Sequence, residues 1–184
     1  MIAFLDVDYR GTGARAACVV LKSWTDQTPS ATFTADVEGV HSYEPGNFYL
    51  RELPCLMSVL GLLPEMPETL VVDGYVWLGP ERRPGLGAHL HEAVGGLGSV
   101  VGIAKTKFGG LSDSDLVALV YRGQSKNPLF ITSVGMDLDG AAEAVRGMHG
   151  EHRIPEIVRM TDRLARSPAA VWQTMLDEAE GPAG

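Results

Sequence analysis

Asp6, Glu52 and Asp73 lie far apart in the chain, yet each falls where a predicted element would carry a carboxylate to the edge of a sheet. The run Thr69-Leu70-Val71-Val72 is apolar or β-branched and reads as a buried strand that ends on Asp73-Gly74. Packing gives a buried strand no reason to finish on a carboxylate. In a helix-covered sheet, ligands bind outside the carboxyl ends of the strands, so Asp73 is either an acid at a ligand edge or the first residue of an Asp-Gly turn. Asp6 and Asp8, two apart on a first strand, share a face, and one of them could join Asp73 across neighbouring strands. Mg²⁺ prefers carboxylate and water oxygens. Three such acids could hold it, orient a water and stabilise charge on a phosphodiester undergoing displacement. Lys105 follows the buried run Val100-Val101-Gly102-Ile103-Ala104 and faces the Asp73 edge if the two strands are parallel; otherwise it is a solvated strand end.

The elements that must position these groups form one α/β domain over residues 1–184, without an internal repeat or linker. Alternation predicts strands over 2–9, 14–24 and 31–38, joined by turns at 11–13 and 26–30 as an antiparallel meander. A loop at Tyr43-Glu44-Pro45-Gly46 precedes a helix capped by Asn47 and reaching about residue 63. Pro54 lies inside that helix, where an unsupported proline costs about 3 kcal/mol. Either the first turn is kinked and brings Glu52 toward the acids, or the helix starts later, at Leu53 or Pro54. Beyond the Asp73 strand come a helix over 85–94 with His89 and His91, a strand over 99–105, strands over 116–122 and 128–134, and helices over 138–149 and 155–165. This is a mixed sheet, its first three strands antiparallel, flanked by helices.

A net charge of −8 argues against a general nucleic-acid binder, since nonspecific phosphate binding wants a basic face. A nuclease whose acids are metal ligands is still allowed, with local help from Arg82, Arg83, Lys105 and Lys107. Cys18 and Cys55 stand alone in apolar segments and read as reduced core residues. The first residues lack a positive n-region, and no apolar run approaches the roughly 18 residues of a membrane span; a cytoplasmic protein is expected.

Several blocks carry a resemblance. They are Leu5-Asp6-Val7-Asp8-Tyr9, Tyr43 to Glu52 with its Tyr-x-Pro-Gly and Arg-Glu, Val72-Asp73-Gly74, Gly85-Leu86-Gly87-Ala88-His89 and Gly102-Ile103-Ala104-Lys105. With Asn127 to Gly135 and Arg153 to Leu164, they make nearly the whole chain resemble the endonuclease V family. The resemblance implies a ribonuclease H-like fold and Mg²⁺-dependent phosphodiester cleavage, with Mn²⁺ as the alternative ion, near inosine in DNA or RNA. It implies Asp6, Glu52 and Asp73 as metal ligands, Lys105 near the scissile phosphate, and His89 as one of the family's histidines. It further implies Tyr43 as the strand-separating wedge, which holds the duplex open while the base is turned out. Gly46, Gly74 and Gly85 match positions where backbone approaches that base, and Phe48 and Leu86 are its apolar neighbours.

Two departures accompany the match. The family's His-Pro-Arg after the Asp-Gly strand is Gly79-Pro80-Glu81-Arg82 here, and a second usual histidine, after Ser-x-Gly, is Met136. A second functional class therefore stands beside the nuclease: a module that binds inosine in nucleic acid with altered catalysis. For single residues the plain alternatives are an aromatic packed over its own loop for Tyr43, a helix-surface histidine for His89, and solvated charges for Arg82 and Arg83. Asp8 is expected beside the site without being a ligand. Arg159 and Asp162, three apart on a helix, are expected to pair locally.

Overall fold

The computed structural model describes residues 1–40, 48–109 and 115–168. Strands β1 (Ile2–Arg10), β2 (Gly13–Leu21) and β3 (Ala31–Val37) form the expected antiparallel meander, with Leu5 opposite Cys18 and Cys18 opposite Phe33. Helix α1 (Phe48–Leu60) leads to β4 (Thr69–Val72). A small hairpin, β5 (Trp77–Leu78) and β6 (Arg83–Pro84), precedes α2 (Leu86–Ala93) and β7 (Ser99–Ala104). The chain continues through β8 (Ala118–Val120), β9 (Leu129–Val134), α3 (Leu138–Gly147) and α4 (Glu156–Arg166).

The seven-stranded sheet has the order β3-β2-β1-β4-β7-β9-β8. Parallel strands require a crossover, which antiparallel neighbours do not. Accordingly β4 and β7, each reached through a helix, run parallel to β1 and to one another, whereas β9 and β8 are antiparallel. The strands bury both faces. Phe4, Val71, Val101 and Ile131 pack under α3 and α4, and Leu5, Val72, Val100 and Cys18 under α1 and α2. Each fully buried side chain of this size stabilises the fold by about 1.5–3 kcal/mol relative to exposure. Both cysteines are free and buried, as expected. Among the described residues, no helix is long and apolar enough to cross a membrane.

Some expectations need correcting. Helix α1 begins at Phe48, so Pro54 lies within it and the later start at Leu53 or Pro54 is not adopted. Pro54 is exposed and Leu50 is 44% exposed, so water can serve the carbonyl that the proline leaves without its usual donor. The second strand stops at Leu21: the amides of Lys22 and Ser23 bond to the Asp26 carboxylate, and Trp24 turns back edge-on to Phe4. Helix α1 ends at Leu60 and α3 at Gly147, both before the expected limits, and β8 spans only Ala118–Val120. The Asn47 cap and the loop before it lie outside the described residues.

Candidate active site

The parallel ladders of β1, β4 and β7 end at one level, although β1 itself continues along β2 to Arg10. Leu5 pairs with Val72 at the last registered step between β1 and β4, and Val72 with Gly102 between β4 and β7. Asp6 and Asp73 each follow one residue later. Leu5 and Val72 face the α1/α2 side, so strict alternation turns Asp6 and Asp73 toward α4. They line a small cavity there with Phe4, Val71, Ile103, Val158 and Thr161. Lys105, just beyond β7, reaches the same edge, and its ammonium lies 2.5 Å from Asp73 Oδ2. The parallel arrangement is what places it there.

Glu52 enters from α1 and is only 8% exposed. Burial, then the charges of Asp6 and Asp73, pushes its carboxyl up to about 8, against the lowering effect of Arg51. Asp6 is pushed up to about 7, chiefly by burial and then by Asp73; the Val7 amide, 2.9 Å from Oδ1, opposes this. The three acids are thus near enough to feel one another's charge. As the side chains stand, no three His, Cys, Asp or Glu residues among those described converge tightly enough to hold a metal ion, and Asp73 is engaged by Lys105. The donor set nevertheless fits a hard divalent cation. All three groups are carboxylates, and a cation would offset both the burial and the mutual repulsion that raise Asp6 and Glu52.

Tyr9 and Arg51 support this edge. The Arg51 guanidinium lies 3.6 Å over the Tyr9 ring, a cation–π contact linking α1 to β1 beside Glu52. Burial and the nearby Glu52 charge raise the Tyr9 phenol above its ordinary range. Asp8, expected beside the site, pairs with Arg10 at 3.0 Å.

The expected base-side residues divide. Tyr43 and Gly46 lie outside the described residues, as does the side chain of Phe48. Gly74 has φ +149, and nothing stands within 4 Å of where a Cβ would be, so the space beside it is open. Gly85 starts α2, but a Cβ there would meet the Tyr75 carbonyl at 2.5 Å, so its glycine is needed for packing. Leu86 is buried in the α1/α2 core. His89 lies flat on Tyr49, ring centroids 3.6 Å apart and planes 13° from parallel, and so joins α2 to α1.

Of the two departures from the family pattern, only Met136 is placed away from the acids. Gly79 has φ +90, a left-handed backbone that an imidazole-bearing residue would strain. Met136 lines a separate pocket with Trp77, Arg82, Ser133 and Asp137. That pocket is beyond the carboxyl end of β9, and the pairing of Val134 with Val100 puts it at the opposite end of β7 from Lys105. Arg82 and Arg83 are exposed, 5.9 Å and 5.8 Å from the rings of Trp77 and Phe108.

Asp162 has a charge that reaches beyond its own helix. The expected pair between it and Arg159 is not formed: Arg159 bonds to Glu156 and Asp162 to Arg166. Asp162 also makes a small contribution to raising Asp6, after burial and Asp73, since α4 packs against β1. Its neighbour Thr161 lines the same cavity as Asp6 and Asp73.

Comparison with known proteins places this architecture in a class. The description "Endonuclease V" belongs to the family model that matches residues 1–163. By family the protein is a nuclease: it belongs to the endonuclease V family. Endonuclease V of Streptomyces avermitilis is 35% identical over 170 residues, covering 82% of this chain and 72% of that protein. Endonuclease V of Azotobacter vinelandii is 33% identical over 184 residues, covering 90% and 81%. The crystal structure of the Streptomyces avermitilis protein superposes with a TM-score of 0.75 at 28% identity, covering 98% of this chain and 82% of that one. Endonuclease V of Ciona intestinalis, solved with a 24mer DNA containing an inosine followed by a ribo-adenosine, shares the fold with a TM-score of 0.74 at 22% identity, covering 90% and 84%.

Proposed function

We propose that this chain is a divalent-metal-dependent endonuclease that hydrolyses a phosphodiester bond near inosine in DNA or RNA. The observation that carries the reading is the level at which the β1–β4 ladder ends: Asp6, within β1, and Asp73, at the exit of β4, each follow its last pair, with Lys105 leaving the next strand onto Asp73. Asp6, Glu52 and Asp73 would hold Mg²⁺ or Mn²⁺, which when bound supplies Lewis acidity and an activated water. The Lys105 ammonium then sits where it can balance charge on the scissile phosphate. Open space at Gly74 would admit a base turned out of the helix; the roles the family resemblance implies for Tyr43, Gly46 and Phe48 rest on sequence. Extrusion costs a few kcal/mol, least where pairing is already weak. With a net charge of −8, attraction to phosphate must come from the metal and from local cations, Lys105, Lys107, Arg82 and Arg83.

The ion pair between Lys105 and Asp73 favours a second reading, in which lysine replaces the cation and the protein binds inosine strands without cutting them. One experiment separates the two. Matched single strands of DNA and RNA, with and without one inosine, are incubated with Mg²⁺ or Mn²⁺ and either the parent protein or Asp73→Ala. Inosine-dependent nicking that disappears in a folded Asp73→Ala supports the nuclease, and inosine-dependent binding without nicking supports the module. Neither cleavage nor inosine-dependent binding would refute both.

A further inference from the structure

We infer that Arg153 is a positioning residue for Lys105. Lys105 lies one residue beyond the last ladder pair of β7 and β9, Ala104 with Phe130, in a bend that neither strand holds. At this point the two strands part, and their carbonyls need other donors. Arg153, in the loop between α3 and α4, supplies them. Its Nη2 donates to the Lys105 carbonyl and, at 2.8 Å, to the Pro128 carbonyl just before β9. One guanidinium thereby holds the backbone from which the Lys105 side chain crosses to Asp73, 2.5 Å away.

The manner of binding also distinguishes Arg153 from a surface ion pair. Among the described residues it forms no salt bridge with a carboxylate, and its Nε is buried with no hydrogen-bond partner. Its two bonds go to main-chain carbonyls on either side of the strand exit. A planar, permanently charged donor group holds such a pair of acceptors with little loss of side-chain freedom per bond, which the flexible ammonium of lysine matches only in part. Arg153 touches neither Asp73 nor the other acids in these bonds, so its effect on chemistry passes through Lys105.

The kinetic part of this inference rests on the nuclease reading, and the experiment has a second readout that does not. Reductive methylation followed by peptide mass spectrometry measures the accessibility of Lys105, with exposed Lys22 as the internal reference. In Arg153→Ala, Lys105 should be modified several-fold faster than in the parent, with Lys22 unchanged and Arg153→Lys intermediate. Cleavage by Arg153→Ala should show kcat lowered by about 10- to 100-fold at nearly constant KM, the scale expected from misplacing one group by about 1 Å. Adding Arg153→Ala to Lys105→Ala should cost less than about twofold more, because residues acting through one another are not additive. Unchanged Lys105 methylation in a folded variant, or losses that multiply in the double variant, would overturn the inference. If Arg153→Ala does not fold, the same comparisons are made with Arg153→Lys. A parent protein that cuts no strand counts against the nuclease reading, and methylation alone then decides the role of Arg153.

Discussion

Lys105 and Asp73 close an ion pair of 2.5 Å between the exits of two parallel strands, each side chain about one-third exposed. At that exposure the pair adds only about 0–1 kcal/mol to stability, so its main consequence is electrostatic. A cation approaching the acids meets a carboxylate already engaged by an ammonium. Lys105→Ala should therefore bind Mn²⁺ several-fold more tightly than the parent while cleaving about 100-fold more slowly, as expected for loss of a charge-stabilising donor. Titration calorimetry and single-turnover cleavage on the same preparations check both halves. Weaker Mn²⁺ binding would mean that the lysine helps hold the site together instead of competing for Asp73.

Stability should depend on pH through Asp6 and Glu52. Both are acids whose folded values, about 7 and about 8, lie above their ordinary ones. The folded state therefore keeps these protons after the unfolded chain has lost them. Their contribution is fully present below the ordinary carboxylate range and is lost as pH rises through the folded values, so metal-free stability should fall between about pH 4 and pH 8. Glu52→Gln should flatten this slope, and Mn²⁺ should stabilise most at the alkaline end, where it no longer competes with protons. Melting curves at several pH values decide the matter: a slope identical in parent and Glu52→Gln would remove Glu52 from the account.

The flat stack of His89 on Tyr49 predicts a structural role that catalysis does not share. Such a contact contributes about 0.5–1.5 kcal/mol beyond area burial. His89→Phe should keep most of the stability and most of the cleavage, whereas His89→Ala should lower the melting temperature. If His89→Phe instead loses more than about tenfold in kcat with its stability intact, roughly 1.4 kcal/mol of transition-state stabilisation, the imidazole acts in the chemistry.

Gly74 and Gly85 should respond differently to alanine, although sequence matching gives both the same task. At Gly85 the new methyl would press on the Tyr75 carbonyl, and Gly85→Ala should destabilise by about 1–3 kcal/mol, as overpacking does. At Gly74 there is room, but φ +149 strains any other residue. Gly74→Ala should therefore combine a milder loss of stability with a larger loss of inosine preference, measured as the ratio of cleavage rates on inosine-containing and plain strands.

What could be read in the sequence follows what local pattern can encode. Short β-branched runs bounded by turns located β1, β2, β3, β4 and β7, but whether β4 and β7 run parallel, and so whether Lys105 shares an edge with Asp73, stayed open until the structure paired them. The hairpin of β5 and β6 was not legible, because two-residue strands, one containing Pro84, carry no alternation. The role of Gly85 depends on a carbonyl ten residues earlier, and that of His89 on a ring from another helix. Neither contact leaves a periodic trace.

Asp162 shows the same gap between local pattern and tertiary consequence. On its helix it looks like half of a surface pair, and it does bond to Arg166 at 2.9 Å. An i,i+4 pair of this kind contributes only about 0.3–0.5 kcal/mol. Yet α4 packs across β1, and the Asp162 charge reaches Asp6. If the pair were its whole purpose, Asp162→Ala and Arg166→Ala would be equivalent: small shifts in melting temperature and unchanged cleavage. The effect of its charge on Asp6 predicts otherwise. Asp162→Ala should weaken Mn²⁺ binding and slow cleavage by at least about tenfold, the rate equivalent of 1.4 kcal/mol, while Arg166→Ala changes neither by more than about twofold. Asp162→Asn, which keeps the shape and removes the charge, should behave like the alanine variant. Equal and negligible effects at 162 and 166 would return Asp162 to the helix surface, leaving Asp6, Glu52 and Asp73 as the acids of the proposed site.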